Sequence, residues 1–151
     1  MMYTIGRQLI LTNLHMRNFF HHRTEKWHDF APFLLRLVTG LIFLMHGWQK
    51  LTQFGVDGTA GFLTSLNFPA PEFFAVILIW VEILGGIALI TGIMTRWAAK
   101  LLIINMIIAL FVVHVSNGFF VGSGGVEFVL LLITSLTVIM IMGPGRWSVN
   151  K

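Results

Sequence analysis

The chain has 151 residues, 56% of them hydrophobic and 11% charged, with ten Lys/Arg against six Asp/Glu and no cysteine; its mean hydropathy is +0.84 and its sequence pI about 10.1. A soluble domain carries roughly 25% charged residues because water must solvate its surface, so this composition excludes an ordinary soluble domain and points to lipid as the solvent. The basic excess reads as topology signal and contact with anionic headgroups, not nucleic-acid binding, and the missing cysteines exclude a disulfide scaffold, a thiolate zinc site and a thiolate-held iron–sulfur cluster.

Residues 1–29 lack the apolar core and small-residue cleavage site of a signal peptide. Met2, Ile5, Leu9, Met16, Phe19 and Phe20 fall on one side of a helical projection, away from Arg7, Arg17, Asn18 and His21. This pattern predicts an amphipathic helix on the inner leaflet, with a disordered basic tail as the alternative.

Four segments follow that can each cross a hydrocarbon core about 30 Å thick, which takes about 20 helical residues. They are placed at 31–52, 71–92, 96–117 and 125–142. Ala31-Pro32 opens the first, with Asp29 upstream where a carboxylate favours the helix dipole, and Phe54-Gly55 closes it. In the following connection, residues 59–66 are small and apolar enough for an interfacial helix over the outer mouth of the bundle. Pro69-Ala70-Pro71-Glu72 starts the second span and Thr91-Gly92 ends it. Arg96 and Ser116-Asn117-Gly118 bound the third. The fourth follows Gly122-Ser123-Gly124-Gly125 and stops before Gly143-Pro144-Gly145. The predicted fold is therefore all-α: a polytopic membrane protein with a four-transmembrane-helix bundle over 30–143, an N-terminal amphipathic segment over 1–29 and a tail over 144–151.

Arg7, Arg17, Arg23 and Lys26 precede the first span, Arg96 and Lys100 open the third, and Arg146 and Lys151 follow the fourth, whereas 117–126 holds no basic residue. Positive residues stay cytoplasmic, so both termini are expected inside, with Trp27, Trp97 and Trp147 at the inner interface.

An ionisable side chain inside a span costs at least about 2.5 to 3.5 kcal/mol, so it usually faces the bundle interior and has a partner. Arg36, His46, Gln49, Lys50, Glu82, Asn105, His114 and Glu127 are such groups. Taking each span from its inner or outer boundary at 1.5 Å per residue leaves about 8 Å of depth between Arg36 and Glu82. That predicts an interior ion pair, which either fixes helix register or also contacts a ligand or proton. Lys50, His46, His114 and Glu127 fall at comparable depth on the other side, with Lys50–Glu127 as the natural charge pair or, alternatively, two solvated helix ends. Gly40, Gly47, Gly85, Gly86, Ala88 and Ala109 permit close helix approach. A haem between His46 and His114 is disfavoured, since His114 and Asn105 leave their helix on opposite faces. No P-loop, HExxH or nucleophile elbow is present, and no metal site is expected.

Leu35-Arg36-Leu37, Gly40-Leu41-Ile42-Phe43 and His46-Gly47-Trp48-Gln49-Lys50-Leu51 resemble the opening signature of the DoxX family of small four-helix bacterial membrane proteins. Phe68-Pro69-Ala70-Pro71, then Glu82 with Gly85-Gly86 and Ala88-Leu89, then Gly92 and Thr95-Arg96 with Ala98-Ala99, resemble its second motif: a mid-membrane glutamate beside a glycine pair and a Gly-x-x-Thr-Arg turn. The resemblance covers about 31–142. It implies a bacterial inner-membrane protein associated with a redox system, since family members are described as subunits linked to redox enzymes, among them a thiosulfate:quinone oxidoreductase, and as partners in complexes that resist oxidative stress. The positions it implicates are Arg36, His46, Lys50 and Glu82; Glu127 and His114 rest on depth alone.

Two classes of function follow. In the first, the chain is a redox-associated subunit that binds a quinone head group in the bundle, with Glu82 or His46 handling the proton. Electrons then come from a partner, because the chain lacks cysteine and any cofactor signature and is not expected to catalyse alone. In the second it is a non-enzymatic scaffold or assembly factor whose N-terminus recruits a soluble partner. A small-solute or proton transporter is a weaker third, since four spans are few for alternating access. A homo-oligomer is compatible with each.

Overall fold

The computed structural model describes residues 30–145 and 147–149. The amphipathic segment expected at 1–29 and the tail residues Arg146 and Lys151 lie outside the described residues. Those described form helices and no strand.

Helix α1 covers residues 30–49 and runs on through a π-wound turn, Lys50–Phe54, into α2, Gly55–Ser65. Gly55 has φ +68°, a conformation that glycine adopts without steric penalty, so the chain changes course where the sequence ended the first span. The helix expected near 59–66 thus begins earlier, at Gly55, with Asp57 in its first turn facing the positive end of the helix dipole. Ala60 and Leu63 of α2 pack on Ala75 in the next helix, with Phe68 and Phe74 beside them.

Helix α3, Pro71–Thr91, has proline at its first turn and ends at Gly92. The turn 92–94 leads into α4, Thr95–Ala109, which continues through a π turn, Leu110–His114, and a 3-10 turn, Val115–Asn117. After a connection containing the short turn Val121–Ser123, α5 covers Glu127–Met142 and stops at Gly143 with φ +78°.

Phe30–Ser65, Pro71–Thr91 and Thr95–Asn117 are each long and apolar enough to cross a membrane, and α5 is a shorter apolar helix of 16 residues. At 1.5 Å per residue α5 is about 24 Å long, a little under the hydrocarbon thickness. The chain is a multi-pass membrane protein. Phe43, Leu89, Leu102, Met106, Leu132 and Leu136, from α1, α3, α4 and α5, share one buried core, while large side chains such as Leu41, Leu84, Trp97, Leu131 and Ile141 point outward. In lipid that outward apolar surface is the favourable one.

Small residues set how the helices touch. A Cβ on Gly86 would lie 2.6 Å from the Leu44 backbone nitrogen and 2.7 Å from the Gly40 carbonyl oxygen, and one on Gly47 would lie 2.8 Å from the Ile83 side chain. Gly40 and Gly47 of α1 therefore seat directly on α3, as close glycine approach allows where lipid gives no hydrophobic drive. The neighbouring Gly85 faces the other way, its Cβ position 3.0 Å from Leu102 of α4.

Candidate functional site in the middle of the bundle

Glu82 lies eleven residues after Pro71 and nine before Thr91, about 16 Å from one end of α3 and 14 Å from the other. Its carboxylate is buried at that depth. Lys50 Nζ donates to Glu82 Oε2 at 2.7 Å, and Asn105 Nδ2 donates to Glu82 Oε1 at 3.5 Å, so both carboxylate oxygens are engaged. The Lys50 side chain is 22% exposed against 4% for Glu82, which makes the lysine side the open side of this cluster.

Three helices contribute one group each, and their registers explain why. Gly47 lets α1 touch α3 beside Glu82, its Cβ position 3.0 Å from Glu82 Cβ, and Lys50 follows at the first residue of the π turn. A π turn inserts an extra residue into the winding and is frequent at functional sites. Asn105 comes to the same depth across the α3–α4 turn. Glu82 is ten residues before Gly92 and Asn105 ten after Thr95, so equal rise of about 15 Å on two arms brings them level. That symmetry is a signal in the sequence which identifies Asn105 as a member of the site; polarity alone did not.

The Arg36–Glu82 pair expected from depth does not form. A Cβ on Gly92 would lie 2.7 Å from the Arg36 guanidinium, so Arg36 is level with Gly92, about 15 Å of helix rise from Glu82. The expectation failed because the span ends were used as depth markers, whereas the glycine contacts set the register. Arg36, 1% exposed, donates through its two terminal nitrogens to the carbonyl oxygens of Pro144 and Trp147. Its Nε has no partner, and its carbon lies 5.8 Å from the centre of the Phe33 ring.

The second expected pair, Lys50–Glu127, is likewise replaced. Glu127 Oε1 accepts the Val121 backbone N–H at 2.5 Å, closing the connection at the start of α5. His114 Nδ1 lies 2.7 Å from the Gly124 carbonyl oxygen and Asn117 Nδ2 donates to the Val113 carbonyl at 3.1 Å, so His114 and Glu127 secure that connection. The physical reason is proximity in sequence: local backbone groups satisfy them before a distant ammonium can. His46 is exposed on α1, with Nδ1 2.9 Å from the Ile42 carbonyl oxygen. Among the described residues no three His, Cys, Asp or Glu side chains come together as metal ligands.

A family model described as DoxX matches residues 31–115, which hold Arg36, Lys50, Glu82 and Asn105 together with both glycine contacts. The chain belongs to the DoxX family. It is 34% identical over 113 residues to "Putative oxidoreductase CatD" of Bacillus subtilis (strain 168), covering 74% of this chain and 79% of that one. It is 26% identical over 129 residues to "Inner membrane protein YqjF" of Escherichia coli (strain K12), covering 84% and 95%, and 29% identical over 139 residues to "Inner membrane protein YphA" of the same organism, covering 85% and 98%. No solved structure matches the chain. The matched DoxX region stops before α5, so the resemblance read from the sequence, to about residue 142, extends beyond it by the whole last helix.

Proposed function

We propose that this DoxX protein is an inner-membrane subunit of a redox system and that its mid-membrane cluster holds the head group of a quinone. The observation that carries this reading is the Glu82 carboxylate at the centre of α3, engaged by Lys50 and Asn105 and open on the lysine side. An ion pair and a carboxamide at that depth are costly to place in lipid unless they are used or fully satisfied.

The groups present suit such a ligand. Lys50 has two ammonium hydrogens beyond the one given to Glu82, and a quinone carbonyl is an acceptor that would take one. A bound quinone would supply the two-electron, two-proton chemistry. Lys50 and Glu82 are a donor and an acceptor in contact, so a proton can pass between Nζ and Oε2 without creating net charge in the membrane interior. Asn105 orients the carboxylate from the far side. Because the chain contains no cysteine, electrons are assigned to a protein partner. The word oxidoreductase in the name of the Bacillus subtilis relative points the same way, as do the inner-membrane names of the Escherichia coli relatives.

Charge distribution supports an orientation. Arg36, Arg96 and Lys100 stand toward one end of the bundle, whereas Asp57, Glu72 and Glu127 stand toward the other. Placing the Arg36 end in the cytoplasm satisfies the positive-inside rule and puts both termini there.

Titration of the full chain in lipid nanodiscs with short-chain ubiquinone and menaquinone analogues tests this reading. Saturable binding that weakens at least tenfold in Glu82→Gln and in Lys50→Met, with both variants still folded by circular dichroism, is the expected result. Wild-type protein that binds neither analogue overturns it.

A further inference from the structure

Helix α1 carries a polar feature that the Lys50–Glu82 pair does not use. His46, Gln49 and Gln53 are all exposed and stand at i, i+3 and i+7, on one side of the helix. Gln49 Nε2 donates to Gln53 Oε1 at 3.2 Å. The Ile42 carbonyl beside His46 Nδ1 can only accept, so Nδ1 carries a hydrogen, and in the neutral ring Nε2 is a bare acceptor. Among the described residues, nothing else meets His46 Nε2, the Gln49 carbonyl or the Gln53 amide hydrogens.

Depth makes this arrangement costly. Position 46 adjoins Gly47, which seats beside Glu82, so the stripe begins at the centre of the bundle and runs toward the Lys50 end. Acyl chains offer no hydrogen-bonding partner there. Leu41, Met45 and Trp48, also exposed on α1, meet lipid at no such cost.

We propose that the His46–Gln49–Gln53 stripe is the contact surface of a parallel homodimer, each copy covering it with the same stripe of the other. The stripe's chemistry selects a second copy as the occupant. Two copies inserted the same way are related by a two-fold axis along the membrane normal, so residues of equal depth meet. A glutamine amide is both donor and acceptor, so Gln53, with both amide hydrogens free among the described residues, can pair reciprocally with its equivalent. The second Gln49 amide hydrogen lies within one turn of the depth of the other copy's bare histidine nitrogen. Such self-complementarity is what an isologous contact requires, and interhelical bonds between Gln and His side chains are a recurrent glue between spans. A charged partner helix would find no opposite charge on this stripe. The dimer stands on the donor and acceptor inventory of α1 alone and does not depend on quinone binding.

The absence of native cysteine allows a direct test. Gln49→Cys, Gln53→Cys, Leu41→Cys and Trp48→Cys are made in the full chain and oxidised in native membranes. The expected product is a disulfide-linked species of twice the 17.0 kDa chain mass, several-fold more abundant at 49 and 53 than at 41 and 48. A triple His46→Leu, Gln49→Leu, Gln53→Leu variant in nanodiscs should shift from dimer to monomer. Equal or absent cross-linking at 49 and 53, a product containing a different protein, or a triple variant that stays dimeric overturns the proposal. A triple variant of unchanged mass that has lost quinone-analogue binding would make the stripe a ligand path instead.

Discussion

Lys50 reaches Glu82 because Gly47, one turn earlier on α1, sits against Glu82 and Ile83 with no side chain to hold the helices apart. The charge pair is thus a consequence of a backbone contact, and disturbing either should be felt at the other.

Removing one partner of a fully buried ion pair costs about 3–5 kcal/mol. Because Lys50 is 22% exposed, solvent screening lowers the expectation to about 1–3 kcal/mol for Lys50→Met or Glu82→Gln alone. The double variant should lose less than the sum of the singles by about 1 kcal/mol or more. Thermal unfolding of the four proteins in one detergent gives the cycle, and strict additivity would show that the contact carries no coupling.

Gly86 and Gly61 offer a matched comparison. Gly86→Ala drives a methyl into the α1 backbone, and overpacking of this kind costs about 1–3 kcal/mol. Gly61, on α2, has nothing within 4 Å of its Cβ position, so Gly61→Ala should gain up to about 1 kcal/mol from helix propensity. The unfolding midpoint should fall for the first and hold or rise for the second.

Arg36 holds the segment after α5, where Val149 N–H also donates to the Thr91 carbonyl at 3.1 Å and the Phe33 and Trp147 rings stand 5.5 Å apart. Arg36→Met should release this segment. Hydrogen exchange read by mass spectrometry would then quicken over 144–149 and stay unchanged over α4; equal protection in the variant would place the anchorage elsewhere.

Glu127 and Lys50 should act independently. Glu127→Ala frees the Val121 N–H and loosens the 117–126 connection, and combined with Lys50→Met it should add within about 0.5 kcal/mol. Coupling well beyond that would restore the charge pair that depth alone suggested.

The spans were legible because Pro32, Pro71, Gly92 and Gly143 punctuate the apolar runs, and the polar residues inside them stood out by their cost in lipid. Their partners were not legible from depth. Arg36 finds peptide carbonyls, which have no sequence signature, and Lys50 finds Glu82 through a register set by Gly40, Gly47 and Gly86, which hydropathy does not encode. The π turn at Lys50–Phe54, which changes the winding at Lys50 itself, has no signature in hydropathy either. Asn105 was recoverable by counting residues on both sides of the 92–94 turn.

The Arg36 clasp bears on how the protein is made. Arg36 enters the membrane with α1, more than a hundred residues before the carbonyls of Pro144 and Trp147 are made. Until those residues are in place the guanidinium lacks these two acceptors at its final position. A chain stopped before residue 144 keeps a buried cation in α1 without the carbonyls that hold it, so a cut behind the last helix is felt inside the first one described.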